Sequence, residues 1–114
     1  MNINPEAQLA VKLYKHRNQS YPEPGDHKAA SDAARLMSIA RSLHRLYETY
    51  CNRSLTDREV SRTEHLEKAS RALLQDWYGL ACDHNRDPRG FSIYIHFTDG
   101  SCNSWGGSET GWGI

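Results

Sequence analysis

The sequence predicts a single α+β domain in which a short N-terminal helix and an antiparallel helical hairpin pack against a C-terminal β-hairpin. Apolar residues recur at steps of three and four through most of the chain, whereas near its end they alternate with polar residues. A turn containing proline and glycine separates the two patterns. With 114 residues, the chain is long enough for one hydrophobic core.

The first predicted element is a short helix over residues 5–16. Asn4 is a favourable N-cap, Pro5 suits the first helical position, and Glu6 complements the helix dipole. Residues 17–26 follow and contain two prolines and a glycine, which interrupt helices. We therefore expect a linker between this helix and the helical hairpin.

Residues 27–82 are predicted to form the helical hairpin. Its first helix ends near Cys51 and has an apolar stripe that is broad enough to contact more than one neighbour, including a second subunit. The stripe comprises Ala33, Leu36, Ala40, Leu43, Tyr47 and Tyr50, and it is widened by Met37, Ile39 and Leu46. The breadth of this stripe favours a homo-oligomer.

The second helix is predicted to begin at Asp57, because Thr56 and Glu59 have the spacing of a capping box. Its stripe comprises Val60, Thr63, Leu66, Ser70, Leu73, Trp77 and Leu80. Glu67 and Arg71 lie four residues apart and are expected on the exposed side as an ion pair. The short connection makes the two long helices antiparallel neighbours.

Residues 87–114 are predicted to form the β-hairpin and a tail rich in glycine and tryptophan. The hairpin turn is Asp99-Gly100, a strong signal for a two-residue turn. That turn length pairs Tyr94 with Trp105 and His96 with Asn103. The face predicted to cover the helices comprises Phe91, Ile93, Ile95, Phe97 and Cys102, and the outer face comprises Tyr94, His96, Asn103 and Trp105.

Composition excludes several classes of protein. The formal net charge is zero, with 14 basic and 14 acidic residues, so the chain lacks the field of a general nucleic-acid-coating protein. Three widely spaced cysteines favour free thiols in a reducing compartment. No apolar segment has the length of a membrane span or resembles a signal peptide. We expect a cytoplasmic protein with no membrane partner.

The outer face of the β-hairpin is the first candidate site. Tyr94 and Trp105 offer flat surfaces on which a base, a ring or a peptide can stack, and His96 and Asn103 supply polar specificity. The alternative is that this aromatic pair only stiffens the hairpin or is buried in an oligomer interface.

Arginines form two further candidate sites. Arg86 and Arg89 flank a turn that suits a phosphate or carboxylate, although Asp87 can instead cap that turn while Arg89 pairs with an acidic residue. A second group surrounds the connection between the long helices and could meet nucleic acid, but interspersed acidic residues favour an ordinary solvated surface. This group comprises Arg35, Arg41, Arg45, Arg53, Arg58 and Arg62.

Metal binding and catalysis have weak support in the sequence. Cys82 and His84, with His96 or Cys102, contain suitable zinc-ligating atoms, but their spacing is unlike that of zinc sites. The predicted register also puts His96 and Cys102 on opposite faces of the hairpin. Nothing marks a thiol as an activated nucleophile. We therefore expect no metal, no cofactor and no enzymatic activity.

Two segments resemble short proteins of bacteriophages and prophages. The first is Leu43–Arg53, which reads LHRLYETYCNR, and the second is His84–Gly90, which reads HNRDPRG and leads into a strand. The resemblance covers roughly the C-terminal two thirds of the chain and leaves the N-terminal 28 residues outside it. It implies a small accessory protein that acts by binding, for which blocking a host enzyme or defence complex is a common role.

The expected function is that of a non-enzymatic accessory protein of a phage or mobile element, which binds and inhibits a host protein or complex. Anti-defence activity, such as anti-CRISPR activity, is one concrete form. One alternative is a binder that sequesters a nucleotide signal, with Arg86 and Arg89 on its phosphates and Trp105 or Tyr94 on its base. Nucleic-acid binding through the arginine group is the other.

Overall fold

The computed structural model describes residues 5–18, 28–84, 86, 93–97 and 102–105. Within these residues the chain forms three helices and then a three-stranded antiparallel sheet. The helices are α1 (Pro5–Asn18), α2 (Lys28–Asn52) and α3 (Asp57–Tyr78), and the strands are β1 (Ala81–His84), β2 (Ile93–His96) and β3 (Cys102–Trp105). The predicted α+β class is confirmed, with a helical hairpin, a short helix before it and a β-hairpin after it.

Helix α2 packs against α1 and α3 and contributes more buried residues than α3 does. Its predicted stripe is buried from Ala33 to Tyr47, including the residues that widen it, whereas Tyr50 is exposed. Helix α1 contributes Leu9 and Leu13, both fully buried. The broad stripe of α2 is thus buried within a single chain, so its breadth no longer supports a homo-oligomer. The homo-oligomer stays a prediction.

Helix α3 begins as predicted, at the capping box. The Thr56 hydroxyl accepts from the Glu59 amide at 3.2 Å, and the Glu59 carboxylate accepts from the Thr56 amide at 3.0 Å. Arg53 donates to both carboxylate oxygens of Glu59, at 2.8 and 2.9 Å. The hydrogen bonds from Arg53 and Thr56 lower the pKa of Glu59 to about 2. Together these contacts fix the chain between α2 and α3.

Helix α3 ends four residues earlier than the sequence predicts. Gly79 adopts a left-handed conformation with φ of 64°, and its amide donates to the carbonyl of Gln75 at 3.0 Å. This bond is that of an αL cap, and the Leu80 amide donates to the carbonyl of Leu74, also at 3.0 Å. The predicted continuation of the helix to Cys82 is therefore wrong, and Ala81–His84 forms the edge strand β1 instead.

Replacing Gly79 with alanine should lower the free energy of unfolding by about 1 kcal/mol, because an L-residue is strained in the left-handed region. A Cβ atom at this position meets nothing within 4 Å, so the cost comes from the backbone alone. Urea denaturation followed by circular dichroism measures the change. An asparagine, which tolerates this conformation better, should recover part of the loss, and an alanine variant as stable as the wild type would contradict the cap.

The buried face of α3 differs from the predicted stripe. Two members of that stripe are largely exposed, Val60 at 41% and Trp77 at 54%. Glu67, predicted to be exposed, retains only 7% of its accessible surface. The buried residues of α3 are Thr63, Glu67, Ser70, Leu74 and Tyr78. The helix thus turns a partly polar face toward the core.

The strand register is shifted by one residue from the prediction. Ile93 pairs with Trp105, Tyr94 with Ser104, Ile95 with Asn103 and His96 with Cys102. The prediction assumed a two-residue turn, which would pair His96 with Asn103, but His96 pairs with Cys102, and five residues lie between these two along the chain. Residues 98–101 lie outside the described part of the chain. Along β2 the predicted alternation is confirmed, because Ile93 and Ile95 are buried and His96 is exposed.

Candidate functional site

A cleft of about 330 Å³ lies between the C-terminal end of α2 and the first turns of α3. We refer to it as the α2–α3 cleft. We call the apolar part of its lining, Tyr50, Leu55 and Val60, the apolar wall, and the polar part, Tyr47, Ser54, Thr63, Glu64 and Arg86, the polar wall. Leu55 belongs to the connection between α2 and α3. The capping box and the Arg53–Glu59 ion pair stabilise this connection.

Two residues of the apolar wall are largely exposed to solvent. Tyr50 retains 63% of its accessible surface and Val60 retains 41%, and they belong to different helices. Single exposed apolar residues are common on protein surfaces, but adjoining ones beside a concave surface are typical of binding sites. The α2–α3 cleft is therefore the best candidate for a binding surface among the described residues.

The polar wall is built on a buried carboxylate. Glu67 accepts from the Tyr47 hydroxyl at 2.8 Å, from Arg86 Nη2 at 2.7 Å and from Arg86 Nε at 3.1 Å. These bonds join α2, α3 and the residue that lies two positions beyond β1. The sequence places the three residues far apart, and the fold brings them together at one side of the cleft.

The protonation states of this network follow from its hydrogen bonds. Burial alone would raise the pKa of Glu67, but hydrogen bonds from Arg86 and Tyr47 outweigh it and the pKa is lowered. The same carboxylate raises the pKa of Arg86, and burial followed by the bond to Glu67 raises the pKa of Tyr47. At neutral pH the network thus contains one carboxylate, one guanidinium and a neutral phenol, with no net charge.

A second polar cluster joins α3 to β1. The Ser70 hydroxyl donates to the Glu67 carbonyl at 2.9 Å, so the contact of 2.7 Å with His84 Nε2 requires Nε2 to be the donor. His84 Nδ1 is then an acceptor and faces Arg71 Nη2 at 3.3 Å. The distance between Ser70 and His84 suits a nucleophile and its base, but Ser70 is fully buried and its proton is committed elsewhere.

The His84 cluster predicts a loss of stability in mild acid. Burial holds the pKa of His84 below its ordinary value of 6.5, because the opposing effect of the nearby Glu67 carboxylate is smaller. The unfolded chain then binds the proton more readily, so the free energy of unfolding decreases as pH falls from 6.5 toward the folded-state pKa. Urea denaturation between neutral and mildly acidic pH measures this slope.

The matched variants are His84→Gln and His65→Gln. Glutamine can still donate to Ser70 and accept from Arg71 but cannot be protonated, so the slope should become shallower. His65 is exposed on α3, and its replacement should leave the slope unchanged. An equal slope in His84→Gln and the wild type would show that His84 does not set this pH dependence.

Cys51 and Cys82 are free thiols, the first exposed and the second buried. Burial raises the pKa of Cys82 to about 11, so this thiol is protonated at neutral pH. Among the described side chains, no three potential metal ligands cluster. One argument against zinc was nevertheless wrong, because the observed register makes His96 and Cys102 partners.

The predicted outer face of the β-hairpin is not assembled as expected. Trp105 lies opposite Ile93 and Asn103 opposite Ile95, which are positions of the other face of the sheet. Tyr94 is half-buried, and His96 contacts the carboxylate of Asp83 at 2.6 Å. The correction follows from the register, since a shift of one residue exchanges the two faces of a strand.

The arginine predictions also change. Arg86 lines the α2–α3 cleft but is bound to Glu67, and Arg89 lies outside the described residues. In the second group, all six arginines are exposed, and the Arg53 guanidinium is paired with Glu59. An anion would therefore have to compete with carboxylates at both Arg53 and Arg86.

Apart from Arg86, sequence reasoning missed the residues that build this cleft. Tyr50 and Val60 were assigned to the apolar stripes, and Glu67 was assigned to the exposed side of α3. The available signal was the spacing of Thr63, Glu67 and Ser70, which share a helical face with Leu74. A run of polar residues on a core-facing stripe indicates a buried hydrogen-bond network.

Among the described helices, none has the length and apolar character needed to cross a membrane.

Comparison with other proteins assigns neither a family nor a function to the chain. No protein-family model, curated protein or solved structure matches the chain.

Proposed function

We propose that the protein is a non-enzymatic accessory protein of a bacteriophage or mobile element, which binds and inhibits a host protein or complex in the host cytoplasm. Inhibition of a defence complex, as by an anti-CRISPR protein, is one form of this activity. The observation that supports binding most directly is the exposure of Tyr50 and Val60, which both belong to the apolar wall of the α2–α3 cleft. Exposed apolar surface of this kind becomes favourable when a partner covers it.

The resemblance to phage proteins concerns the same surface. Segment Leu43–Arg53 contributes Tyr47 and Tyr50 to the α2–α3 cleft, and segment His84–Gly90 contributes Arg86. Segments distant in sequence thus supply both the apolar and the polar wall. This coincidence supports a binding role for the cleft.

The chemistry of the buried polar groups favours binding over catalysis. Ser70 and Cys82 are the buried candidates for a nucleophile, but the first donates its proton to a carbonyl and the second has a raised pKa. Glu67 accepts three hydrogen bonds and is not poised to accept a proton from a substrate. We therefore assign Ser70, Cys82 and Glu67 a role in stabilising the fold and not in catalysis.

The alternatives now have less support. A nucleotide binder relied on Arg86 and Arg89 for the phosphates and on Trp105 or Tyr94 for the base, but Glu67 binds Arg86, and Arg89 lies outside the described residues. Nucleic-acid binding relied on the exposed arginines of the helical hairpin, and no further observation favours it.

The experiment compares three forms of the chain as bait in a bacterial host lysate. The forms are the wild type, Val60→Asp in the cleft, and Val11→Asp on α1 as a control with a similarly exposed valine. We expect a host protein, identified by mass spectrometry, to be retained by the wild type and the control but not by Val60→Asp.

The retained protein is then purified and its own activity measured with and without the chain. Inhibition by the wild type and the control, with none by Val60→Asp, supports the proposal. Retention that is unaffected by Val60→Asp would reject the cleft as the binding surface. A product-forming reaction of the chain itself that is lost on substitution of His96 or Cys82 would reject the non-enzymatic role.

A further inference from the structure

We infer that the partner presents to the α2–α3 cleft a polypeptide segment that carries no negative charge and has one large apolar side chain, and not a phosphate-bearing group. The inference rests on the proposed function, because it names the chemistry of the partner at the same cleft. The charges, hydrogen-bond donors and size of the cleft each support it.

Charge is the first argument. Arg86 is the only cation among the described residues that line the cleft, and two of its nitrogens already bind Glu67. Glu64 lines the same wall and adds a second carboxylate. A phosphate brings roughly two more negative charges at neutral pH. It would have to approach both carboxylates or displace Glu67 from Arg86, which would leave a buried carboxylate without its cation.

The remaining hydrogen-bond donors are the second argument. Arg86 uses Nε and Nη2 for Glu67, and among the described residues Nη1 has no acceptor. The Tyr47 hydroxyl donates to Glu67 and the Thr63 hydroxyl donates to the Glu59 carbonyl, while Ser54 and Tyr50 add two further hydroxyls to the lining. A peptide carbonyl oxygen accepts from Nη1 without adding charge, so it fits this wall better than an anion does.

Size and apolar lining are the third argument. About 330 Å³ is at the lower end of the range for small-molecule pockets, roughly 300–1,000 Å³. Tyr50, Leu55 and Val60 form a wall suited to one leucine-sized or aromatic side chain. A large apolar side chain with its flanking backbone satisfies both walls at once, as the anchor residues of protein interfaces do.

The test uses two small probes and the whole chain. N-acetyl-tryptophan amide is neutral and combines a large ring with peptide-like carbonyls, whereas adenosine monophosphate combines a ring with a phosphate. Each is titrated into the nitrogen-15-labelled protein, and amide resonances of α2, α3 and the Arg86 side chain are followed. We expect saturable shifts around the α2–α3 cleft with the neutral probe and much weaker ones with the phosphate.

The valine variants locate the binding. Val60→Asp should weaken the neutral probe about tenfold, while Val11→Asp should bind it as the wild type does. Shifts that saturate with adenosine monophosphate at lower concentration overturn the inference but leave the cleft as a binding surface. No saturable shift with the neutral probe, or binding that Val60→Asp does not change, also overturns it. The proposed function fails separately, when Val60→Asp still retains and inhibits the host protein.

Discussion

Replacing Glu67 with alanine should lower the free energy of unfolding by about 2 kcal/mol, although the residue is charged and was expected on the surface. The Tyr47 hydroxyl, on a residue that retains only 2% of its accessible surface, would lose its acceptor and gain no water in exchange. Arg86 would lose a bidentate partner, but its side chain is 63% exposed, so water compensates for much of that loss. Urea denaturation followed by circular dichroism measures the change.

Two further variants separate the network from nonspecific effects. Glu64→Ala removes a carboxylate from an exposed position on the same helix and should change stability by less than about 0.5 kcal/mol. In a Tyr47→Phe background the Glu67→Ala change should cost about 1 kcal/mol less, because the orphaned hydroxyl is gone. Equal stability of Glu67→Ala and Glu64→Ala would contradict the buried network.

Replacing Leu13 with alanine should cost about 3 kcal/mol, the typical loss for a fully buried leucine. Leu13 belongs to α1, in the N-terminal part whose contribution the sequence left open, and it packs within the common core formed with α2. The prediction therefore tests whether α1 is an integral part of the fold. Chemical denaturation and thermal melting both measure it.

Val11 provides the control for α1. It lies two residues away on the same helix with 51% of its accessible surface exposed, so Val11→Ala should change stability by less than about 0.5 kcal/mol. If Leu13→Ala proves as mild as Val11→Ala, the packing of α1 on α2 is not needed for stability.

The features that sequence predicted well depend on near neighbours in the chain. The capping box at Thr56 and Glu59 spans three residues, and the alternation of Ile93 and Ile95 with Tyr94 and His96 spans four. Such patterns are fixed by local backbone geometry, which is the same wherever the segment lies in the fold.

The features that sequence missed depend on distant partners. Glu67 is buried because Tyr47 and Arg86, 20 and 19 residues away, satisfy its carboxylate. Strand β1 forms because Gly79 ends α3 and β2 supplies a ladder. The register depended on an assumed turn length, and an error of one residue there rearranged the whole predicted site. The α2–α3 cleft itself was invisible because it exists only where two helices meet.

The polar face of α3 also determines how the helical hairpin can be aligned. In a purely apolar interface, sliding α3 by one turn, about 5.4 Å, would exchange one leucine-sized contact for another at little cost. Here the same slide would carry Glu67 away from Tyr47 and Ser70 away from His84. We expect these pairs to disfavour every axial alignment but one. Since α2 and α3 both contribute residues to the lining of the cleft, that single alignment also gives the cleft a single shape.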